Sequence, residues 1–290
     1  MLLSTSIGYY LPKIETDKII EITSKAGFDA LDFAFFNPKY FDEETDSKIF
    51  EENFKTLRKK VEDKNMIFNQ AHAPYPTSTG DINEEKLIFK KLTRSMRNAS
   101  YLGIDKIVVH PCHHLSYSSY ENREKLFEIN MEFYNSLKPY CEEYNIKIAL
   151  ENMWGRTGNM KINHSTCSTP GEFIRYVDSL DNEWFTACLD IGHTMLVCED
   201  AADFIRKLGN KRLTVLHVHD VDGITDTHTI PYGGICNWEE ITKALKEIDY
   251  KGDFTFEPDN YIRPLPDELL ESATIHLANT GRYLMSKIMC

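Results

Sequence analysis

What the chain lacks narrows its class first. It has seven cysteines, Cys112, Cys141, Cys167, Cys188, Cys198, Cys236 and Cys290, and no two form a CxxC pair. An odd, scattered set of this kind excludes a zinc ribbon and a disulfide framework, and it suits free thiols in a reducing cytoplasm. No apolar run approaches the roughly 20 residues needed to span a bilayer, so no membrane partner is expected. The opening stretch, "MLLSTSIGYYLPKIETDK", has neither the basic start nor the long apolar segment of a secretion signal. A soluble, cytoplasmic protein is the expectation. Positive charge is also in short supply: 33 Lys and Arg face 45 Asp and Glu, for a net charge of -12. Such a chain has no broad electrostatic grip on a phosphate backbone, which disfavours nucleic acid as a partner. Low-complexity tracts are missing as well.

What is present is a repeated alternation. Short apolar or β-branched runs stand at 2–8, 30–36, 66–72, 106–111, 147–152, 185–193, 213–220 and 253–258. Between them lie stretches with helical spacing, among them 17–27, 85–103 and 122–145. Gly27 and Gly103 stand where a left-handed residue would stop a helix before the next strand. "STPGEFIRYV" opens another helix, with Ser168 or Thr169 as N-cap and Pro170 in the first turn. Eight βα units without a linker, in a chain whose hydrophobic share is 42%, predict one domain over 1–290. The expected fold is α/β, a single (β/α)8 TIM barrel. An open doubly wound sheet would want a Gly-rich first βα turn, and "SIGYYLPK" is not one.

Barrels of this kind carry their chemistry at the C-terminal ends of the strands. Six consecutive strands end there in a candidate ligand: His72, His110, Glu151, Asp190, His217 and Glu257. Any one histidine could be hydrogen-bonded core. A carboxylate inside "IALEN" or "FTFEP" needs a cation, a donor cluster or a raised pKa, because an unpaired buried carboxylate is costly. Six convergent groups predict a metal centre, and Glu, Asp and His together suit Zn, Mn, Fe or Co better than Ca or Mg. Loop residues extend the set: His193 follows Asp190 by three positions, and Asp226 and His228 form a D-x-H pair. His217, inside the expected strand, is preferred to His219 as the ligand. His113 and His114 are expected to be solvated or outside the ligand set, His276 structural, and His164 is left open.

The segments "AHAPY", "VVHP", "LEN", "LDIGH", "LHVHD", "DTH" and "FEP" together resemble the xylose-isomerase-like barrel superfamily, along essentially the whole chain. That superfamily contains metal-dependent sugar isomerases and epimerases, and the endonuclease IV type of DNA-repair enzyme. The epimerase branch implies one divalent ion on Glu151, Asp190, His217 and Glu257. The endonuclease branch implies further zinc ions on His72, His110, His193, Asp226 and His228. One to three divalent ions, Zn or Mn, are therefore expected. "TIPYGGICNWEEI" is similar to the "P-x-G-x-G-x-x-W" ending of the sugar-isomerase-like members.

With few cations near the strand ends (Arg156, Lys161 and Arg263 the more plausible phosphate contacts), small-substrate chemistry is favoured. The expected activity is isomerisation or epimerisation of a small sugar or sugar phosphate, with Glu151 and Glu257 as the acid–base pair. The alternative is a zinc-dependent phosphodiester hydrolase acting on abasic DNA, in which both glutamates would be metal ligands. A homo-oligomer is an open possibility. Tyr9, Tyr10, Phe35, Phe36 and Trp154 could wall a sugar face, and Asp32 could meet its hydroxyls or be a solvated strand end. Gly233 and Gly234 could offer N–H groups to a phosphate or form a plain turn.

Overall fold

The computed structural model describes residues 1–41, 47–157 and 161–289; Cys290, counted among the thiols, lies outside them. The expected alternation folds into eight parallel strands: β1 (Leu3–Ser6), β2 (Ala30–Ala34), β3 (Ile67–His72), β4 (Lys106–Val109), β5 (Lys147–Glu151), β6 (Phe185–Asp190), β7 (Leu213–His217) and β8 (Phe254–Phe256). Neighbours pair in chain order, and β8 pairs with β1. The ring closes just past β7, where Val218 N donates to Thr255 O at 2.8 Å and Glu257 N to Val218 O at 3.1 Å. This is a single (β/α)8 TIM barrel.

Helices pack outside the ring for the reason read from their spacing. In the helix Thr16–Ala26, Ile19, Ile20, Ile22 and Thr23 form the buried face, and Gly27 ends it in the left-handed region at φ 88°. The helix Ile82–Tyr101 starts at Asp81, whose carboxylate accepts from Asn83 N and Glu84 N. Asn145, at φ 50°, stops Tyr120–Tyr144 where glycine would be usual. Of the two candidate caps, Thr169 takes the N-cap position ahead of Pro170. Inside the ring, Val108, Ala149, Cys188 and Val215 fill the layer beneath the strand ends, so the barrel has a packed floor.

Two features differ from the expected elements. The stretch 185–193 is not all strand: β6 stops at Asp190 and the helix Ile191–Leu196 begins at once. The Asp190 carboxylate caps that helix by accepting from His193 N at 2.6 Å. After β5 the chain also makes a small antiparallel hairpin, Trp154–Arg156 with Ile162–His164. Its strands are three residues each, too short to show a period.

Candidate metal centre and active site

The strand ends bring all nine expected ligand residues to one mouth of the barrel. Sets whose ligand atoms lie within 4.8 Å of one another include His72, His110 and Glu151; Glu151, Asp190 and His217; His72, His217 and Glu257; and His193, His219, Asp226 and His228. A further set, Asp190, His219 and Glu257, joins the last to the others, so the mouth holds one continuous cluster. Glu151 stands at its centre. Its Oε2 is 3.0 Å from His110 Nε2 and 3.4 Å from His72 Nε2, and its Oε1 is 3.0 Å from His217 Nδ1. Glu257 Oε2 approaches the same His217 Nδ1 at 3.6 Å. At the far side His193 Nε2 and His228 Nε2 face Asp226 Oδ2 at 3.4 and 3.1 Å.

The way these groups are held tests whether they fit a metal. Three imidazoles use Nδ1 on a main-chain carbonyl: His72 on Ala73 O at 2.7 Å, His193 on Asn152 O at 2.9 Å and His228 on Glu257 O at 3.2 Å. A carbonyl only accepts, so Nδ1 carries a proton and each Nε2 is turned into the cluster, where loss of its own proton would leave a lone pair for an ion. That is how proteins orient imidazole ligands. Glu151 Oε2, Asp226 Oδ1 and His217 Nε2 are buried with no hydrogen-bond partner among the described residues. Glu151 Oε2 is therefore near two imidazoles without being aligned to either as an acceptor. Donor atoms that converge without pairing fit a divalent cation.

Without a cation, protons hold the charges together. Burial works against ionised Glu151, but His217 and His110 outweigh it and keep the carboxyl well below its usual range. For His193 and His217, burial opposes protonation. Asp190 and Asp226 overcome it at His193, and Cys188, Glu257 and Glu151 at His217, so both imidazoles are raised well above their ordinary value. His228 is raised to about 9 against burial, chiefly by Asp226.

Several neighbours were not singled out by their sequence. Asn152, the last residue of "LEN", ties β5 to β6: Asp190 N donates to its Oδ1 at 2.7 Å, and its Nδ2 donates to Asp190 O at 3.0 Å. His219, set aside in favour of His217, is also in the cluster. It stands two positions past His217, which in an extended chain is the same face, and His219 Nε2 reaches Asp190 Oδ2 at 2.9 Å while its ring stacks on His228 at 3.7 Å. Tyr75 stacks on His110 with ring centres 5.1 Å apart.

The aromatic expectations divide. Trp154 donates its indole N–H to Asp226 Oδ2 at 3.3 Å, Phe36 packs edge-on to His72, and Tyr9 sits beside His228. Tyr10 and Phe35 are fully buried in the hydrophobic core: the Tyr10 hydroxyl meets Thr274 Oγ1 of the last helix at 3.2 Å, and Phe35 packs against Phe54 of the helix Ser47–Glu62. Asp32 is not a solvated strand end: it is buried, both carboxylate oxygens lack a partner among the described residues, and burial pushes it up to about 7. His276 is exposed on the last helix. Of the three expected phosphate contacts, Arg263 pairs with Asp259, Lys161 is exposed on the hairpin, and Arg156 lies over the Trp154 ring.

Gly233 and Gly234 form the turn. Gly233 N donates to Ile230 O, and a Cβ on Gly234 would lie 2.1 Å from Val221 O. The turn wraps the buried Asp220, whose carboxylate accepts from Val221 N, Tyr232 N, Cys236 N and Trp238 Nε1. Asp220→Asn replaces one acceptor oxygen by a donor facing donors. It is expected to cost about 2 kcal/mol or more and to lower the melting temperature by several degrees; an unchanged thermal melt would remove this structural role.

Comparison with known proteins agrees with this architecture. The model of the xylose isomerase-like TIM barrel family matches residues 20–278. An uncharacterised protein of Methanocaldococcus jannaschii is 30% identical over 195 residues, covering 65% of this chain and 64% of that one. The chain thus spans a little under two thirds of that relative's length. The D-psicose 3-epimerase of Agrobacterium fabrum is 23% identical over 246 residues, covering 82% of this chain and 78% of the relative. Among solved structures, a D-tagatose 3-epimerase-like protein superposes with a TM-score of 0.78 at 22% identity, over 100% of this chain and 98% of its own, a likeness of fold. The chain belongs to the xylose isomerase-like TIM barrel family.

Proposed function

We propose that the chain is a divalent-metal-dependent isomerase or epimerase that moves a proton next to the carbonyl of a small sugar or sugar phosphate. The observation that carries this reading is a pair of buried carboxylates, Glu151 from β5 and Glu257 after β8, approaching one imidazole nitrogen of His217 at 3.0 and 3.6 Å. Glu151, Asp190, His217 and Glu257 would hold the ion. When bound, it supplies Lewis-acid polarisation of the carbonyl and acidifies the adjacent C–H.

The chain's own groups do the rest. One carboxylate takes the proton from carbon and the other returns a proton to the opposite face or to the neighbouring carbon. Asn152 keeps Asp190 and His193 in register across β5 and β6. Phe36, Tyr9 and Trp154 offer rings to the apolar faces of a sugar. The family relationship and the D-psicose 3-epimerase relative support this reading.

A second reading has its own observation. His193, Asp226 and His228 meet beside the first ligand set, and a multi-metal phosphodiester hydrolase would use such a group. Ketoses incubated with metal-loaded protein in deuterated water separate the two. Deuterium entering at the carbon next to the carbonyl, read by NMR, is the expected result. Nicking of abasic DNA without any such exchange would replace the first reading by the second.

A further inference from the structure

Beside the cluster lies a cavity of about 750 Å³, bounded by Tyr75, the segment after β4 and the paired strands Trp154–Arg156 and Ile162–His164. It is in the upper part of the range for small-molecule sites, about 300–1,000 Å³. It opens off the cluster directly, since His110 lines both and Trp154, on its wall, donates to Asp226.

Its chemistry runs against that of the whole chain. Among the described residues no Asp or Glu lines it, although the chain has 45 of them. The wall instead presents Arg156, His113, His114, His164, Asn163 and Ser165. His114 Nδ1 is taken by Ser78 Oγ at 2.7 Å and His164 Nδ1 by Ser168 Oγ at 3.0 Å. The ring of His113 makes no hydrogen bond among the described residues, and burial lowers its pKa to about 4, so at neutral pH it is an uncharged N–H donor. Imidazole, guanidinium, amide and hydroxyl donors around a space without carboxylates complement a negative group.

We propose that this cavity seats the anionic group, a phosphate or a carboxylate, of an acidic sugar whose hydroxy-ketone end reaches the cluster. The assignment rests on the sugar reading given above and adds to it that a free, uncharged ketose is the poorer substrate. Phosphate and carboxylate share the recognition chemistry, and the experiment separates them.

The metal-loaded protein is assayed with a free ketohexose, the same ketohexose carrying a 6-phosphate, and a ketohexuronate. One or both anionic sugars are expected to exceed the free sugar in kcat/KM by about 10- to 100-fold, the size of one charge-assisted contact. In the Arg156→Ala, His164→Ala double variant that ratio collapses toward one. A free ketose turned over as well as either acid would overturn the proposal. Calorimetry with inorganic phosphate tests the seat without turnover: the double variant should bind the metal-loaded protein's phosphate at least about 10-fold more weakly. Equal affinity would also overturn it. Absence of exchange with every sugar, combined with weakened phosphate binding in the variant, would fault the sugar chemistry and leave the anion seat standing.

Discussion

Glu151→Gln and Glu257→Gln are each expected to abolish sugar interconversion, with kcat lowered by about 10³-fold, within the range assigned to one acid–base group. Glutamine keeps the shape of the side chain and removes the base. Each residue is also a proposed ligand, so loss of activity alone does not separate the two roles. The isotope pattern does. If two carboxylates work from opposite faces, a variant lacking one still takes the proton from the epimer presented to the other. Solvent deuterium should then enter one epimer and not its partner, and the two variants should show opposite preferences. Metal content measured on the same samples shows that the ion is still present. Equal loss of exchange from both epimers in both variants, with full metal, would dismiss the two-base arrangement.

How much of this was legible in the chain depended on length and burial. The barrel was legible because each βα unit repeats a buried run, a helical face and a stop, and eight copies reinforce one another. That these residues would converge was legible because a His, Asp or Glu inside an apolar run is conspicuous, and the fold puts all strand ends at one mouth. The hairpin after β5 was not: three-residue strands at Trp154–Arg156 and Ile162–His164 have no period to read. His219 was set below His217 although the two stand two positions apart, a spacing that in an extended chain puts both on one face, and the structure brings both to the cluster. Tyr10 and Phe35 looked like candidate walls from their nearness to strand ends, yet which face they occupy is decided by packing against the helices. Asp220 was passed over among three aspartates in "LHVHDVDGITDTH", since its four donors come from the next residue, a turn and a tryptophan up to eighteen positions on.

Loading the metal-free protein with zinc or manganese should release protons, and affinity should rise steeply with pH. His193, His217 and His228 are all raised by the carboxylates around them, so near pH 7 they carry protons that a cation must displace. The sign follows from competition: below the raised pKa the proton holds the site, and as pH climbs through it the metal meets less opposition. Each proton released steepens log affinity by about one unit per pH unit, or about 1.4 kcal/mol. The rise should continue toward about pH 9, where His228 gives up its own proton. Calorimetry in buffers of different ionisation heat counts the protons directly. The D-x-H pair sets how many ions enter. In an Asp226→Asn, His228→Ala double variant the set with His193 and His219 is dismantled, while Glu151, Asp190, His217 and Glu257 are untouched. The variant is expected to bind one ion fewer per chain and to release fewer protons, with the low-pH part of the affinity curve retained. An unchanged metal count would mean that His193, Asp226 and His228 hold one another by charge alone and that a single ion serves the whole mouth of the barrel.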